Sequence, residues 1–536
     1  MPVSISIRDL LARGLHWPHR AWALFDLREA GEFAAGHIFG ATSLPRRLLE
    51  FRLSELLPDP SWPVVVYDRG AGDGRAKLAA LRLAEMGVAD VAVLHGGIAA
   101  WVDAGQVLAS GLNVPSKTFG ENVLHETRIQ TVTPEELYGV NQSAGSVAIC
   151  DVRTSGEFAA HHLPGACSLP GFELAAHLPG LTRDHDRVVL NCAGRTRSII
   201  AAATAQALGF DCPAVENGTM GWRLAGYPVE GGAVAPPSAP SPEDAMAIAD
   251  HACLLALQLG VDAITAAELA RLGGSSGPQR PYIVDVRAQD AFLAGHVPSA
   301  LWLPGGQAIQ RTDDFLAVPG APVVVIDEGD ARAWLAAWWL RRMGFPSVHV
   351  LDGGMPTWRD AGFKVETGRG RRRPELVEKA AEGAPLLGLE DMRARLERVP
   401  LPLLFDVGTS RGFARAHLPN AIWLPRGWLE ARIGDYAAPE DEIVLTASDP
   451  SQAILAAATL QDMGYARARA CAVSPADWAR AGGAVETGPP PDTAEDIVDP
   501  PYEMGLQAMR DYLEWEIRLT AGADASGQGA TSLKRE

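Results

Sequence analysis

Cysteine is scarce in this chain. There are six in 536 residues, and no two stand in a CxxC pair. That excludes a disulfide framework and a zinc ribbon, and it fits a reducing, cytoplasmic setting. His161 and His162 lie near Cys150 in sequence but without the spacing of metal ligands, so neither a metal nor a cofactor is expected. Positive charge is also short: 47 Lys and Arg against 65 Asp and Glu leave a net charge of −18. A broad basic face for nucleic acid is therefore not expected. No run reaches the roughly 20 apolar residues of a membrane span, and the apolar stretch 252–259 is far too short. The opening residues, Met-Pro-Val-Ser-Ile-Ser-Ile-Arg-Asp, lack the uninterrupted apolar core of a secretory leader. What remains is an ordinary globular composition, in a chain too long for one core.

One unit is written four times. Its opening reads Phe25-Asp26-Leu27-Arg28, then Glu32-Phe33 and Gly36-His37-Ile38. The second copy has Asp151-Val152-Arg153, Glu157-Phe158 and His162-Leu163-Pro164-Gly165-Ala166. The third has Asp285-Val286-Arg287, Phe292 and Gly295-His296-Val297-Pro298, and the fourth Asp406-Val407, Phe413 and His417-Leu418-Pro419. Aspartate and histidine are 11 residues apart in every copy, and a proline follows each histidine by eight: Pro45, Pro170, Pro304, Pro425. Each copy ends on a tryptophan (Trp101, Trp222, Trp358, Trp478) with glycine four residues later. Coincidence does not hold such spacing four times.

Within each copy an apolar run leads to a polar loop and then a helical run ending at Gly87, Gly209, Gly344 or Gly464. Strands alternating with helices predict α/β domains with parallel sheets. Ser6/Asp9, Thr133/Glu136 and Thr265/Glu268 have the spacing of helix capping boxes at the unit starts. The expected domains are 1–110, 125–232, 250–367 and 383–487, with a C-terminal segment 488–536. In that segment residues 502–519 are expected to form a docked amphipathic helix and 521–536 a disordered tail. Residues 231–242 read as a flexible linker and 369–373 as a solvated basic one. Residues 111–130 are too varied for a simple spacer.

The loops differ in chemistry. In the second copy the loop reads Cys192-Ala193-Gly194-Arg195-Thr196-Arg197-Ser198, between an expected buried strand at 188–190 and a helix from Ser198. A cysteine there meets unpaired backbone N–H groups, a helix dipole and the Arg197 charge, all of which favour the thiolate. The other copies put Asp68, Asp327 and Ser448 at this position.

The loop and the Asp-x-Arg…Glu-Phe…Gly-His-Ile/Leu-Pro-Gly-Ala stretch resemble the rhodanese sulfurtransferases, over roughly residues 5 to 487. The resemblance implies four tandem rhodanese-like domains, each a parallel sheet flanked by helices, with Cys192 taking up a sulfane sulfur as a persulfide. Related phosphatases of the Cdc25 type have one more residue between cysteine and arginine, so sulfur transfer is the better match. Arg197 is then expected to close the loop and stabilise negative charge. Ala193, Gly194, Arg195, Thr196 and Ser198 are expected to cradle the substrate, with Arg195 facing the entrance. The 3-mercaptopyruvate enzymes typically carry a Cys-Gly-Ser/Thr-Gly loop. Two arginines here point to thiosulfate or another small anionic sulfur donor, with a thiol or cyanide as acceptor. Copies one, three and four are expected to be inactive, and the four histidines, which recur in them, to serve the fold. Two alternatives stay open: a sulfur-relay protein whose partner is another protein's thiol, and a non-catalytic binding scaffold.

Overall fold

The computed structural model describes residues 2–526 apart from 16, 142–145, 369–374, 384–385 and 491–494. The basic stretch 369–373 and residues 527–536 of the expected tail thus lie outside the described residues. Four five-stranded sheets follow one another along the chain, and in each the strands, numbered in chain order, lie side by side as 1-5-4-2-3. Every pairing is parallel, as in Val64–Tyr67 against both Ala23–Asp26 and Val91–Leu94. The central strands of the first, third and fourth units are buried along their whole length, and that of the second from Val188 on. That is why they read as continuous valine- and leucine-rich runs rather than as alternating patterns.

The recurrent histidines close each unit. His37, His162, His296 and His417 bridge in antiparallel fashion to Ala109, Glu230, Glu366 and Glu486. Each ring stacks on the phenylalanine four residues earlier, at 3.7–4.0 Å between centroids. Each Nδ1 also meets that phenylalanine's carbonyl oxygen at 2.8–3.0 Å. The tryptophans donate from Nε1 to a carbonyl six residues on, pinning the last turn.

The first three units pack on one another, as where Tyr282 of the third donates to the Leu56 carbonyl of the first at 2.6 Å, and the fourth packs on the first. The second and third meet so closely at Gly171 and Gly305 that a Cβ on Gly171 would lie 2.3 Å from the Gly306 nitrogen. Helix Pro242–Gln258, which follows the exposed stretch 231–241, packs on helices of both units. The first and fourth meet through buried charge: Arg426 holds Glu50 with bonds of 2.6 and 2.9 Å, and Arg46 bridges Glu50 and Glu430. One continuous apolar core runs through the first three units, while the fourth has its own, with Phe51 of the first packed against it.

The C-terminal segment is a short turn, Pro501–Met504, broken at Gly505 from a long helix, Leu506–Ser526. The helix therefore runs past 521, where disorder was expected from the Gly, Ala and Ser content. Among the described residues no helix is long and apolar enough to cross a membrane.

Candidate active site

Cys192 follows strand Arg187–Asn191 and precedes helix Thr196–Ala207. The strand's last residue holds the site from below. Asn191 Nδ2 donates to Asp151 and to Thr219 Oγ1, both at 3.0 Å, and Thr219 Oγ1 donates to the Cys192 carbonyl at 3.1 Å. Gly218 lets the next helix close on the loop, since a Cβ there would sit 2.3 Å from the Cys192 carbonyl oxygen at a φ of +55°. The Cys192 side chain is buried, 1% exposed, with Sγ 3.2 Å from Ser198 Oγ and 3.6 Å from the Arg195 carbonyl oxygen.

The two loop arginines are both held. Arg197 Nη1 and Nη2 reach the two oxygens of Glu157 at 2.7 and 2.8 Å. Burial works against this carboxylate's charge, yet Arg197 brings it down to about 2. Arg197 Nε–H is buried and meets no acceptor among the described residues. Arg195 does not stand free at an entrance as expected. It grips Glu121 with bonds of 2.6 and 2.7 Å and donates to Asn217 at 3.0 Å. Glu121 lies on helix Val114–Thr127, which runs through the stretch 111–130. That helix is not a spacer but a wall of the site.

The C-terminal helix forms the roof. Thr196 Oγ1 donates to Glu516 at 2.7 Å, and Met509 and Leu513 pack with Met220. Glu516 is 1% exposed, and its second oxygen has no partner among the described residues. Burial raises the Tyr512 phenol, with Glu516 and Cys192 adding to the shift. Lys117 sits 4.9 and 4.7 Å from the ring centroids of Tyr512 and Trp515, and its ammonium donates to the Leu112 carbonyl at 2.7 Å. Burial lowers its pKa. Ala193 and Gly194 complete the loop, the former accepting from the Met220 N–H at 2.9 Å and the latter facing the Met220 methyl.

The sister loops show what the fold places at this position. Asp68 accepts from the N–H groups of Gly70 and Ala76 at 2.9 Å each. Asp327 accepts from Gly329 and Ala333 at 2.8 Å each, and from Asp330 at 3.3 Å. Both carboxylates fill a ring of backbone donors. Burial, then Asp330, push Asp327 up to about 8.

The arginine position differs too. In the first copy Arg75 pairs with Glu32 at 2.8 and 3.0 Å, as Arg197 does with Glu157. The third copy has Ala291 at that position. Its Arg332 is left with Asp330 inside its own loop, Nε lying 2.9 and 3.0 Å from the two oxygens, a pair that Arg75 also makes with Asp73 at 2.7 Å.

The chain belongs to the rhodanese family: the family described as Rhodanese-like domain matches residues 8–104, 133–225 and 265–361. The fourth unit lies outside these matches but has the same strand order. A solved thiosulfate sulfurtransferase from Pseudomonas aeruginosa is 32% identical, covers 98% of this chain and 99% of its own, and superposes with a TM-score of 0.85. SseB of Mycobacterium tuberculosis, which carries a provisional thiosulfate sulfurtransferase name, is 31% identical over 221 residues, 32% of this chain and 73% of SseB. Human 3-mercaptopyruvate sulfurtransferase is 23% identical over 184 residues, 29% of this chain and 62% of the human protein. This chain is thus similar to one solved thiosulfate sulfurtransferase along nearly its whole length and to further sulfurtransferases over about a third of it.

Proposed function

We propose that the chain moves a sulfane sulfur from thiosulfate, or a similar anionic donor, to a thiophilic acceptor through a persulfide on Cys192. The observation that carries this reading is the set of sister loops. Two of them hold a carboxylate in a ring of backbone N–H groups, and the second loop alone puts a thiol at the same position. An environment that accepts carboxylate oxygens suits a thiolate and the terminal sulfur of a persulfide.

In the first half-reaction the Cys192 thiolate attacks the outer sulfur of thiosulfate. A sulfur–sulfur bond forms as the old one breaks, and sulfite leaves with the electron pair. In the second, cyanide or a thiolate attacks the terminal sulfur, and the Cys192 thiolate is released with the pair. No outside oxidant or reductant is needed. The unpartnered Arg197 Nε–H is a donor for the charge that builds on sulfur, while its two Nη groups stay on Glu157. Arg195 acts as a clamp between the loop and helix Val114–Thr127 rather than as a free attractor of anions. Copies one, three and four are inactive in this reading, since neither carboxylate nor hydroxyl carries a persulfide.

The buried position of Cys192 under the C-terminal helix favours a second reading, in which the acceptor is a partner protein's thiol that displaces the roof. Six free cysteines suit a reducing cytoplasm. The test is a donor panel on purified protein, following the mass of the Cys192 peptide. Thiosulfate is expected to add one sulfur, and cyanide to remove it. No gain of sulfur from any donor in the panel would refute the proposal.

A further inference from the structure

Two of the cysteines lie in contact, with Cys150 Sγ 3.7 Å from Cys167 Sγ. The contact follows from the sheet of the second unit. Cys150 stands on strand Val147–Asp151, and Cys167 on the two-residue strand Cys167–Ser168 at the sheet's edge. The strands run parallel, with Cys150 paired directly to Cys167, so both side chains leave the same face. Neighbouring strands lie about 4.8 Å apart, within the span of backbone that a disulfide bridges.

The fold does not ask for thiols here. The equivalent pairs are Phe25 with Thr42, Val284 with Leu301 and Phe405 with Ile422. Side chains without sulfur serve these positions in all three sister units, and the second alone fills both with cysteine. The two thiols also differ in setting. Cys150 is fully buried, whereas Cys167 is partly exposed. Contact with Cys167, and then burial, raise the Cys150 thiol well above its ordinary range, while contact with Cys150 lowers the Cys167 thiol. The outer cysteine is thus the nucleophile of the pair and the inner one its resolving thiol.

We propose that Cys150 and Cys167 form a redox-active dithiol that hydrogen peroxide converts reversibly to a disulfide. The Cys167 thiolate attacks one peroxide oxygen. A sulfur–oxygen bond forms as the oxygen–oxygen bond breaks, and hydroxide leaves with the electron pair. The Cys150 sulfur then attacks the sulfur of the Cys167 sulfenic acid. A sulfur–sulfur bond forms, the sulfur–oxygen bond breaks, and the hydroxyl leaves with the Cys150 proton as water. The dithiol is oxidised by two electrons and the peroxide is reduced by two. The sulfurs close from contact to bonding distance, and the short edge strand takes up the shift. A bond made in this way is strained and readily reduced, like the transient disulfides of reducing compartments. The site uses neither Cys192 nor its loop and does not rest on the proposed sulfur transfer.

The test uses the full chain carrying Cys192→Ser, with the native chain in parallel. Reduced protein is treated with hydrogen peroxide, free thiols are blocked with N-ethylmaleimide, and the unreduced digest is mapped by mass. The expected product in both chains is the Cys150 peptide joined to the Cys167 peptide, lighter by two hydrogen atoms than the two thiols, and dithiothreitol should restore both. Cys150→Ala removes the resolving thiol and should leave Cys167 as a sulfenic acid that dimedone captures. Cys167→Ser should slow oxidation of Cys150 by at least about tenfold. If either variant unfolds, the unsubstituted pair still decides: it should oxidise at least about tenfold faster than Cys212, Cys253 or Cys471. Absence of the Cys150–Cys167 link, a dominant link to another cysteine, or oxidation of those three ahead of the pair would overturn the proposal.

Discussion

The Arg197 guanidinium and the Glu157 carboxylate face each other through two bonds of 2.7 and 2.8 Å, and the same pair recurs as Arg75 and Glu32 in the first unit. The pair ties the first turn of helix Thr196–Ala207 to helix Ser155–Ala160. Its strength depends on pH. Glu157 titrates at about 2 in the fold against 4.5 ordinarily. Its folded pKa is lowered, so its contribution to stability is fully present above about 4.5 and is lost as pH falls toward 2. At neutral pH this amounts to about 3 kcal/mol. Glu157→Gln should lower the urea midpoint of the transition that exposes Cys192 to a thiol reagent. The gap from the native protein should be constant from pH 6 to 8 and shrink below pH 4.5. A gap that stays constant down to pH 3 would show that the pair does not hold the loop.

Arg195 and Glu121 give a second test. Both side chains are buried or nearly so, so removing one leaves a buried charge without its partner. Arg195→Ala should destabilise the second unit by about 3 kcal/mol. In the background of Glu121→Ala the same change should cost much less, giving a large coupling in a double-mutant cycle. Additive effects would return Arg195 to the role of an entrance residue, expected to raise KM for thiosulfate with little effect on stability.

The strand, loop and helix around Cys192 were legible because their signals are local: a valine run, a thiol, two arginines, an alanine-rich helix and its terminal Gly209. The fourfold repeat made the parallel sheets legible as well, since Asp26, His37 and their counterparts keep one spacing. What surrounds the loop was not legible. Glu157 lies 35 residues before Cys192, Glu121 lies 71 before it, and Glu516 lies 324 after it. Their meeting is set by tertiary packing, within the second unit for Glu157 and against flanking helices for Glu121 and Glu516. The stretch 111–130 did carry a faint signal, Lys117 and Glu121 one helical turn apart among Val114, Phe119 and Val123, but nothing in it says which loop that helix faces. The pairing of Arg332 with Asp330 escaped notice for a different reason. It is a pair two residues apart within one loop, and the first copy makes the same pair, Arg75 with Asp73, while keeping Glu32.

The roof over Cys192 predicts a thiol that reacts slowly until the C-terminal helix lifts. Leu513 is 4% exposed and packs against Met220. Leu513→Asp puts a charge into that contact and should weaken docking by about 2 kcal/mol or more. Alkylation of Cys192 should then speed up by at least about tenfold. Trp515→Phe, which loses the 3.0 Å bond from Nε1 to the Ser110 carbonyl, should have a smaller effect in the same direction. Unchanged alkylation in Leu513→Asp would mean that the helix does not gate access.

Restoring a thiol to the third loop tests whether loss of cysteine alone silenced it. In a Cys192→Ser background, Asp327→Cys puts sulfur beside the partly exposed Asp330 carboxylate, with Arg332 already tied to it. The thiolate is disfavoured there and thiosulfate is repelled, so sulfur transfer should stay below about a hundredth of the native rate. The triple change Asp327→Cys, Glu328→Ala, Asp330→Arg should recover part of it, and adding Ala291→Glu should recover more by giving Arg332 the partner that Arg197 has. Native turnover from Asp327→Cys alone would show that loop electrostatics does not separate the copies.

The central claim is that one thiol, Cys192, carries the sulfur. Its most direct measurement is intact mass of the native protein and of Cys192→Ser after incubation with thiosulfate, with thiocyanate formation followed in parallel once cyanide is added. The native protein should gain the mass of one sulfur atom, localised to the Cys192 peptide, and lose it to cyanide. Cys192→Ser should gain none and form no thiocyanate, with its thermal midpoint close to native, because the remaining five cysteines lie outside the loop. A sulfur adduct and sustained transfer in Cys192→Ser would contradict the account.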